Sequence, residues 1–308
     1  MKLLFHGPGH AKISQSIVLM TNSKNIVCEI TNDDHRIHHF DYDILILNTK
    51  YFDPDIFPQQ IKVIYGPQFW VFPSGPIVGP LETRFEKKCV FNTLSKWVEE
   101  LYIEMVGNLR IPMTQFPYAI DVARFIPAEE TKTIDCLVYI KRRSRSIVDP
   151  VLSFLTKNRI NFKIYRYGSY SEESYLKDLQ SSKYMIVLDA HESQGYALQE
   201  AMSCNVPLLV VNATSMYDEV ENERVNYASN IPKKMRATSV PYMSEQCGIC
   251  ITSYEEFEAA HAFMQENYKT FSPRDYILET LSPRVCMDRI LQYFEIDTTC
   301  TSVSDPPQ

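Results

Sequence analysis

Through the first half of the chain, apolar residues fall in short runs closed by turn formers, at positions 3–5, 26–30, 44–47 and 61–65, with longer mixed segments between them. Runs of this length, rich in Ile, Leu and Val, predict strands alternating with helices, the α/β class. Asn92 or Thr93 can cap a helix on which Leu94, Trp97, Val98, Leu101, Tyr102 and Met105 keep the i, i+3, i+4, i+7 spacing, with Gly107 as its stop. Its apolar face reads as packing. The alternation restarts after a polar stretch, with predicted strands at 134–140, 162–165, 184–188, 207–211 and 248–252. A helix from Glu255 to about Tyr268 follows, and then two helices broken at Ser282-Pro283. The expected organisation is a first α/β domain at 1–127, a linker at 128–133, a second α/β domain at 134–271, terminal helices at 272–295, and a disordered tail at 296–308. The two halves share element order, and no fixed-period repeat is present.

The pattern carries most chemistry just after the strand at 184–188, which Lys183 and Asp189 close at either end. Beyond it, HESQGYALQEAMSCNVP sets Glu192 and Glu200 on either side of Gly195. A helix is predicted to start near Gly195 and to end at Asn205, because Asn tolerates a left-handed conformation and Pro207 cannot extend a helix. The free N–H groups near Gln194 to Tyr196 favour a phosphate, and glycine lets an anion approach the backbone. Glu200 lies roughly 7 Å along the axis from that terminus. A carboxylate repels phosphate, so each glutamate would address hydroxyl groups at the neutral ends of a diphosphate ligand. The bare spacing of two glutamates is met as well by a solvated helix face.

Two further features stand at ends of predicted strands. Lys141, Arg142, Arg143 and Arg145 follow the strand at 134–140, where ligands of open α/β sheets collect. Gly7 and Gly9, in FHGPGH after the first strand, form a loop whose backbone could face phosphate or acceptor. His6 and His10 border that loop and read as structural or solvated, and neither is assigned as a catalytic base.

The stretch from Glu192 to Pro207 resembles the donor-site signature of retaining glycosyltransferases of family 4, E-x-F-G-x-x-x-x-E-A-M-A-x-G-x-P. Glu192, Gly195, Glu200, Ala201, Met202 and Pro207 match it, Gln194 replaces the aromatic residue and Asn205 the second glycine. A second motif of that family, P-x-G-V-D-x-x-x-F-x-P at the handover between domains, is met by Pro117, Ile120, Asp121, Phe125 and Pro127, with Ala119 in the glycine position. The resemblance implies two Rossmann-like domains facing across a cleft, the GT-B fold, with the last helix crossing back to the first domain. It also implies transfer of a sugar from a nucleoside diphosphate donor with retention at the anomeric carbon.

On that resemblance Glu192, Lys141 and Arg143 are the catalytic candidates, and the spacing leaves open which basic pair of 141–145 faces inward. Gly195, Tyr196, Glu200, Gly7 and Gly9 are the donor-binding candidates. Lys141, Arg143 and the helix terminus at Gly195 would take the leaving diphosphate, Glu192 the sugar hydroxyls and Glu200 the ribose. Preorganised positive charge matters most in such a reaction, because a diphosphate departs as an oxocarbenium develops. No metal and no cofactor are expected, the nucleotide sugar being the donor substrate, and domain closure would exclude water. Many members carry a histidine after the fourth strand of the first domain, where this chain has YGPQFW. The readings kept beside glycosyl transfer are a sugar-nucleotide epimerase or hydrolase on the same fold, and a nucleotide-sugar-binding protein without turnover.

Composition narrows the partners. The 308 residues carry a net charge of −7, which disfavours a nucleic-acid track, so any anion site has to be a local basic cluster. The expected partners are a nucleotide sugar and a glycan, lipid or protein acceptor. No apolar run reaches the ~18 residues of a membrane span, which leaves only a peripheral membrane contact open. The scattered cysteines and the absence of a signal-type start favour reduced thiols and a cytoplasmic location. His35, His38 and His39 have helical ligand spacing in a polar segment that reads as surface, Asp41-Tyr42-Asp43 as the lead into a strand, and the Cys247-x-x-Cys250 pair as core packing.

Overall fold

The computed structural model describes residues 1–7, 9–67, 71, 73, 75–82, 88–128, 131–216 and 236–296. In chain order the first elements are β1 (Lys2–His6), α1 (Ala11–Asn22), β2 (Val27–Thr31), β3 (Ile44–Leu47), β4 (Lys62–Tyr65), α2 (Gly75–Glu82), β5 (Cys89–Asn92), α3 (Lys96–Val106) and β6 (Met113–Thr114). They are followed by β7 (Ile134–Lys141), α4 (Arg145–Lys157), β8 (Phe162–Arg166), α5 (Glu172–Ser181), β9 (Ser182–Asp189), α6 (Tyr196–Ser203) and β10 (Leu208–Val211). The described chain ends through β11 (Gly248–Ile251), α7 (Phe257–Asn267), α8 (Pro273–Thr280) and α9 (Pro283–Tyr293). Two compact units result, one from Met1–Leu94, Tyr102–Ala119 and the described part of Leu281–Gln308, the other from Ser95–Leu101 and Ile120–Thr280. The division at Ala119 falls inside the 116–127 segment rather than at the polar run 128–133, of which Glu129 and Glu130 lie outside the described residues.

The first unit holds a sheet of order β2-β1-β3-β4-β5-β6 with every pairing parallel. β3 and β5 are buried along their whole length, as expected of strands covered on both faces. The last helix, α9, packs on α1 of this unit, where Lys24 pairs with Asp288 and the Phe116 and Tyr293 rings meet edge to face at 5.4 Å. Two strands differ from the sequence expectation. Cys89–Asn92 pairs as β5, and Asn92 ends it instead of capping a helix: its Oδ1 accepts from Leu94 N and Phe116 N, both at 2.9 Å. Leu94 is left-handed, with φ 65°, so the helix begins only at Lys96. The two-residue β6 has too little apolar sequence to be read in advance.

The second unit holds a five-stranded sheet of order β11-β10-β9-β7-β8, also parallel throughout. Its core alternates down the strands. Cys136, Val138 and Ile140 of β7 face Val148, Val151 and Leu155 of α4, each side chain contributing about 1.5–3 kcal/mol of burial where large and apolar. Numbered within each unit, the first five strands of both sheets run 2-1-3-4-5, the doubly wound order, which puts a crevice at the carboxyl ends of the first and third strands. In the second unit those strands are β7 and β9.

Candidate functional site

Lys141, the last residue of β7, stands opposite Asp189, the last residue of β9, at this switch point. The chain then turns, and Glu192 is pinned from three sides. Its N–H donates to Thr238 O at 3.1 Å, its carbonyl accepts from Trp97 Nε1 at 2.9 Å, and its Oε1 accepts from Lys141 Nζ at 2.6 Å. Both side chains of this ion pair are largely buried, with relative exposures of 14% and 13%. Lys141 also lies 4.7 Å from the ring centre of Tyr167. Burial alone would pull the Lys141 pKa down, but the charge and hydrogen bond of Glu192, together with the Asp189 carboxyl, outweigh it and hold the value above the ordinary lysine range. The ammonium is therefore charged at any physiological pH.

Arg143, expected on the resemblance to face a diphosphate, is buried beside the ends of β9 and β10. It is 8% exposed, with Nη1 donating to Asp189 O at 3.1 Å and Nη2 to Asn212 O at 3.2 Å. The reason is the sheet: β9 and β10 end side by side, and the carbonyls at the end of β9 and just past the end of β10 need donors that the ladder no longer supplies. Arg143 thus holds the strand ends, and Lys141 is the cation of the basic cluster that meets Glu192.

Helix α6 begins where the spacing predicts. Gly195 is its N-cap residue, with φ 89° and no side-chain cap, and Tyr196 is the first helical residue. The helix closes by a Schellman arrangement, Asn205 N donating to Met202 O at 2.9 Å and Val206 N to Ala201 O at 3.0 Å, with Asn205 left-handed at φ 57°. Glu200, the fifth residue of α6, is 4% exposed. Gln194, in the place of the family aromatic, is buried and bonded to Gln199 in both directions, Nε2 to Gln199 Oε1 at 3.0 Å and its carbonyl to Gln199 Nε2 at 2.7 Å. Tyr175 Oη donates to Ala197 O at 2.7 Å from below. At the far end Arg274 of α8 donates to the carbonyls of Ser203 at 2.6 Å and Phe125 at 3.0 Å.

A Cβ on Gly195 would meet Glu192 Cβ and Cγ at 3.4 Å, an ordinary contact, so the cost of a side chain there is set by the backbone. Gly195→Ala is expected to lower folding stability by about 1–2 kcal/mol, the penalty of a left-handed L-residue, as read by urea unfolding. A loss below about 0.3 kcal/mol would contradict that account.

Glu192, Lys141, Arg143, Gly195, Tyr196 and Glu200 thus belong to the second unit. Gly7 and Gly9 belong to the first, after β1, where Gly7 N donates to Thr31 O at 3.0 Å and Gly7 O accepts from Asn48 Nδ2 at 2.8 Å. His10 caps α1, Nδ1 accepting from Lys12 N at 3.2 Å, and His6 Nε2 lies 3.0 Å from Asp34 Oδ1. His35, His38 and His39 sit on a 3₁₀ turn at Asp34–His39. Pro8 of the glycine loop, and Gln68 to Trp70 where the family histidine would stand, lie outside the described residues. Two residues of the site were not singled out in advance. Trp97 reads as packing, and Asp189 as a polar strand end; the signal for Asp189 is its place at the carboxyl end of a buried strand, immediately before the glutamate motif.

No family model matches the sequence, and no curated protein matches it. Solved structures do. A glycosyltransferase from Rickettsia africae ESF-5 is similar with a TM-score of 0.55 at 10% identity, over 96% of this chain and 98% of that one. A sucrose-phosphate synthase from Thermosynechococcus elongatus gives 0.56 at 9% identity, over 96% and 98%. A lipopolysaccharide outer core galactosyltransferase gives 0.53 at 10% identity, over 96% and 99%. The chain has the GT-B glycosyltransferase fold. At these identities the likeness concerns the fold alone. Within this GT-B chain, the residues that join Lys141, Glu192 and α6 are its own.

Proposed function

We propose that the protein is a retaining glycosyltransferase that takes its sugar from a nucleoside diphosphate donor. The observation that carries the reading is the buried Lys141–Glu192 pair at the carboxyl ends of β7 and β9, on a chain of GT-B fold in which no side chain caps the N-terminus of the following helix α6. The pair is a charge-neutral resting state. An arriving diphosphate offers Lys141 a second anion, and the positive dipole end of α6 shares the same charge preference. Glu192 can then accept from hydroxyls of the donor sugar, and Glu200 from those of the ribose. As the glycosidic bond breaks, negative charge grows on the diphosphate, where Lys141 and the α6 terminus stabilise it without rearranging. Arg143 contributes by fixing the strand ends beside Lys141.

In this reading protein cations supply the positive charge, no divalent metal is needed, and the acceptor is a hydroxyl of a glycan, lipid or protein. Among the described residues no helix is long and apolar enough to cross a membrane. The seven described cysteines are free thiols, which fits a cytoplasmic setting.

Glu200→Gln tests the assignment. A charge-assisted hydrogen bond to a hydroxyl contributes about 1.5–3 kcal/mol, so affinity for UDP, GDP or ADP, whichever the wild type binds by calorimetry, should fall at least tenfold with little change in melting temperature. Unchanged affinity would sink the donor-site reading. Retention is checked separately, by the anomeric proton coupling of the product relative to the donor.

A further inference from the structure

Asp189 has no part in the reaction as described, yet it occupies the centre of the site. It is fully buried, its carbonyl accepts from Arg143 Nη1 at 3.1 Å and Ser239 Oγ at 2.7 Å, and its Oδ1 accepts from His191 N at 3.2 Å. Among the described residues no donor reaches Oδ2, and the side chain within hydrogen-bonding reach of this carboxyl is that of Glu192, another carboxylate. Two ionised carboxylates in such contact repel, and a buried oxygen without a donor is costly. One proton between them removes both penalties. The Lys141 ammonium, 2.6 Å from Glu192 Oε1, assigns the negative charge to Glu192 and so leaves the proton to Asp189.

We propose that Asp189 is a positioning residue that stands at neutral pH as a carboxylic acid, its O–H donating to the Glu192 carboxylate, so that Glu192 is clamped between that O–H and the Lys141 ammonium. The charged and titratable groups facing it agree with this. Lys141 and Tyr139 face it from β7 and Glu192 from the turn after β9. The Arg143 guanidinium is spent on the carbonyls of Asp189 and Asn212, and the segment at 238–240 brings the uncharged Ser239. Burial drives the Asp189 carboxyl well above the usual carboxylate range, further than the Lys141 charge pulls it down, and Glu192 adds to the rise. For the function proposed above, on which only this consequence rests, a neutral Asp189 keeps a second carboxylate charge away from an incoming diphosphate and holds Glu192 in place when that anion shares the Lys141 ammonium.

The experiment has one arm that needs no ligand. The infrared difference spectrum of wild type minus Asp189→Asn, recorded at neutral pH, should contain the C=O stretch of one protonated carboxyl, and its absence would overturn the proposal. The same proton sets a pH dependence. An acid whose folded pKa is raised stabilises the native state fully below its unfolded value, about 3.9, and loses that contribution as pH rises toward the folded value. Asn keeps the donor and removes the titration. The melting temperature of Asp189→Asn should therefore exceed that of wild type by a margin that widens from about pH 4 to about pH 8, and a margin independent of pH would overturn the assignment. The functional arm uses UDP, GDP and ADP in calorimetry. Asp189→Asn should bind within about twofold of wild type and Asp189→Ala at least tenfold more weakly. An equal loss in both variants would place the effect in packing and overturn the clamp. If wild type binds none of the three nucleotides, the donor reading fails, while the infrared and pH results still decide the protonation of Asp189.

Discussion

Lys141→Met is expected to cost about 3–5 kcal/mol of folding stability, the usual penalty for removing one partner of a buried ion pair. The loss comes from what is left behind. Glu192 and Lys141 are each largely buried, and the Glu192 backbone is fixed by Thr238 and Trp97, so the carboxylate cannot swing into water when its ammonium goes. Methionine fills the volume of the lysine stem without supplying charge, which separates electrostatics from packing. Adding Glu192→Gln to this variant should restore most of the loss, because two apolar or neutral groups of similar shape leave nothing uncompensated. Urea unfolding of wild type, both single variants and the double variant gives the coupling. A coupling below about 0.5 kcal/mol would mean that the pair is solvated and that the site is not the dry, preorganised place proposed here. Nucleoside diphosphate affinity should not return in the double variant, since its stability no longer depends on charge and its phosphate recognition still does.

What could be read from the residues alone follows the range of each interaction. The strand at 44–47 and that at 184–188 are legible because their apolar runs are self-contained, and the turn at Asn205 because its left-handed conformation is a local property. Glu192, Gly195 and Glu200 stand within one short stretch, so their relation to the start of α6 follows from spacing. The partner of Glu192 is not legible in this way, for Lys141 precedes it by 51 positions and meets it only because β7 and β9 pair in register. The carbonyl partners of Arg143 are not legible for the same reason: nothing local announces that two strands will end beside it. Asn92 shows the opposite failure, a residue with every local mark of a helix cap that tertiary pairing takes as the end of a strand. Gln194 differs from the family aromatic in more than size, because its amide finds Gln199 and turns inward.

Gly248→Ala should be the most destabilising single methyl in the second unit, at about 3 kcal/mol or more. Gly248 opens β11 with φ 138° and ψ −150°, a conformation open to glycine, and it pairs with Leu208 of β10 at the tightest backbone approach among the glycines. A Cβ there would lie 2.0 Å from Leu208 O and 2.7 Å from Leu208 N, so backbone and not a pliable side chain blocks it. Something must move, and the sheet order says what. β11 is an edge strand, whereas β10 is held on its other side by β9 and, past its end, by Arg143 and Ser239 through Asn212. The edge strand should therefore peel away while β10 and the site stay in place. The expected signature is a large drop in the urea midpoint together with nucleoside diphosphate affinity within about threefold of wild type at temperatures where the variant is folded. A parallel collapse of affinity would show that β10 shifts instead, and that the strand ends holding Arg143, Asp189 and Glu192 are less rigid than the hydrogen bonds around Asn212 imply.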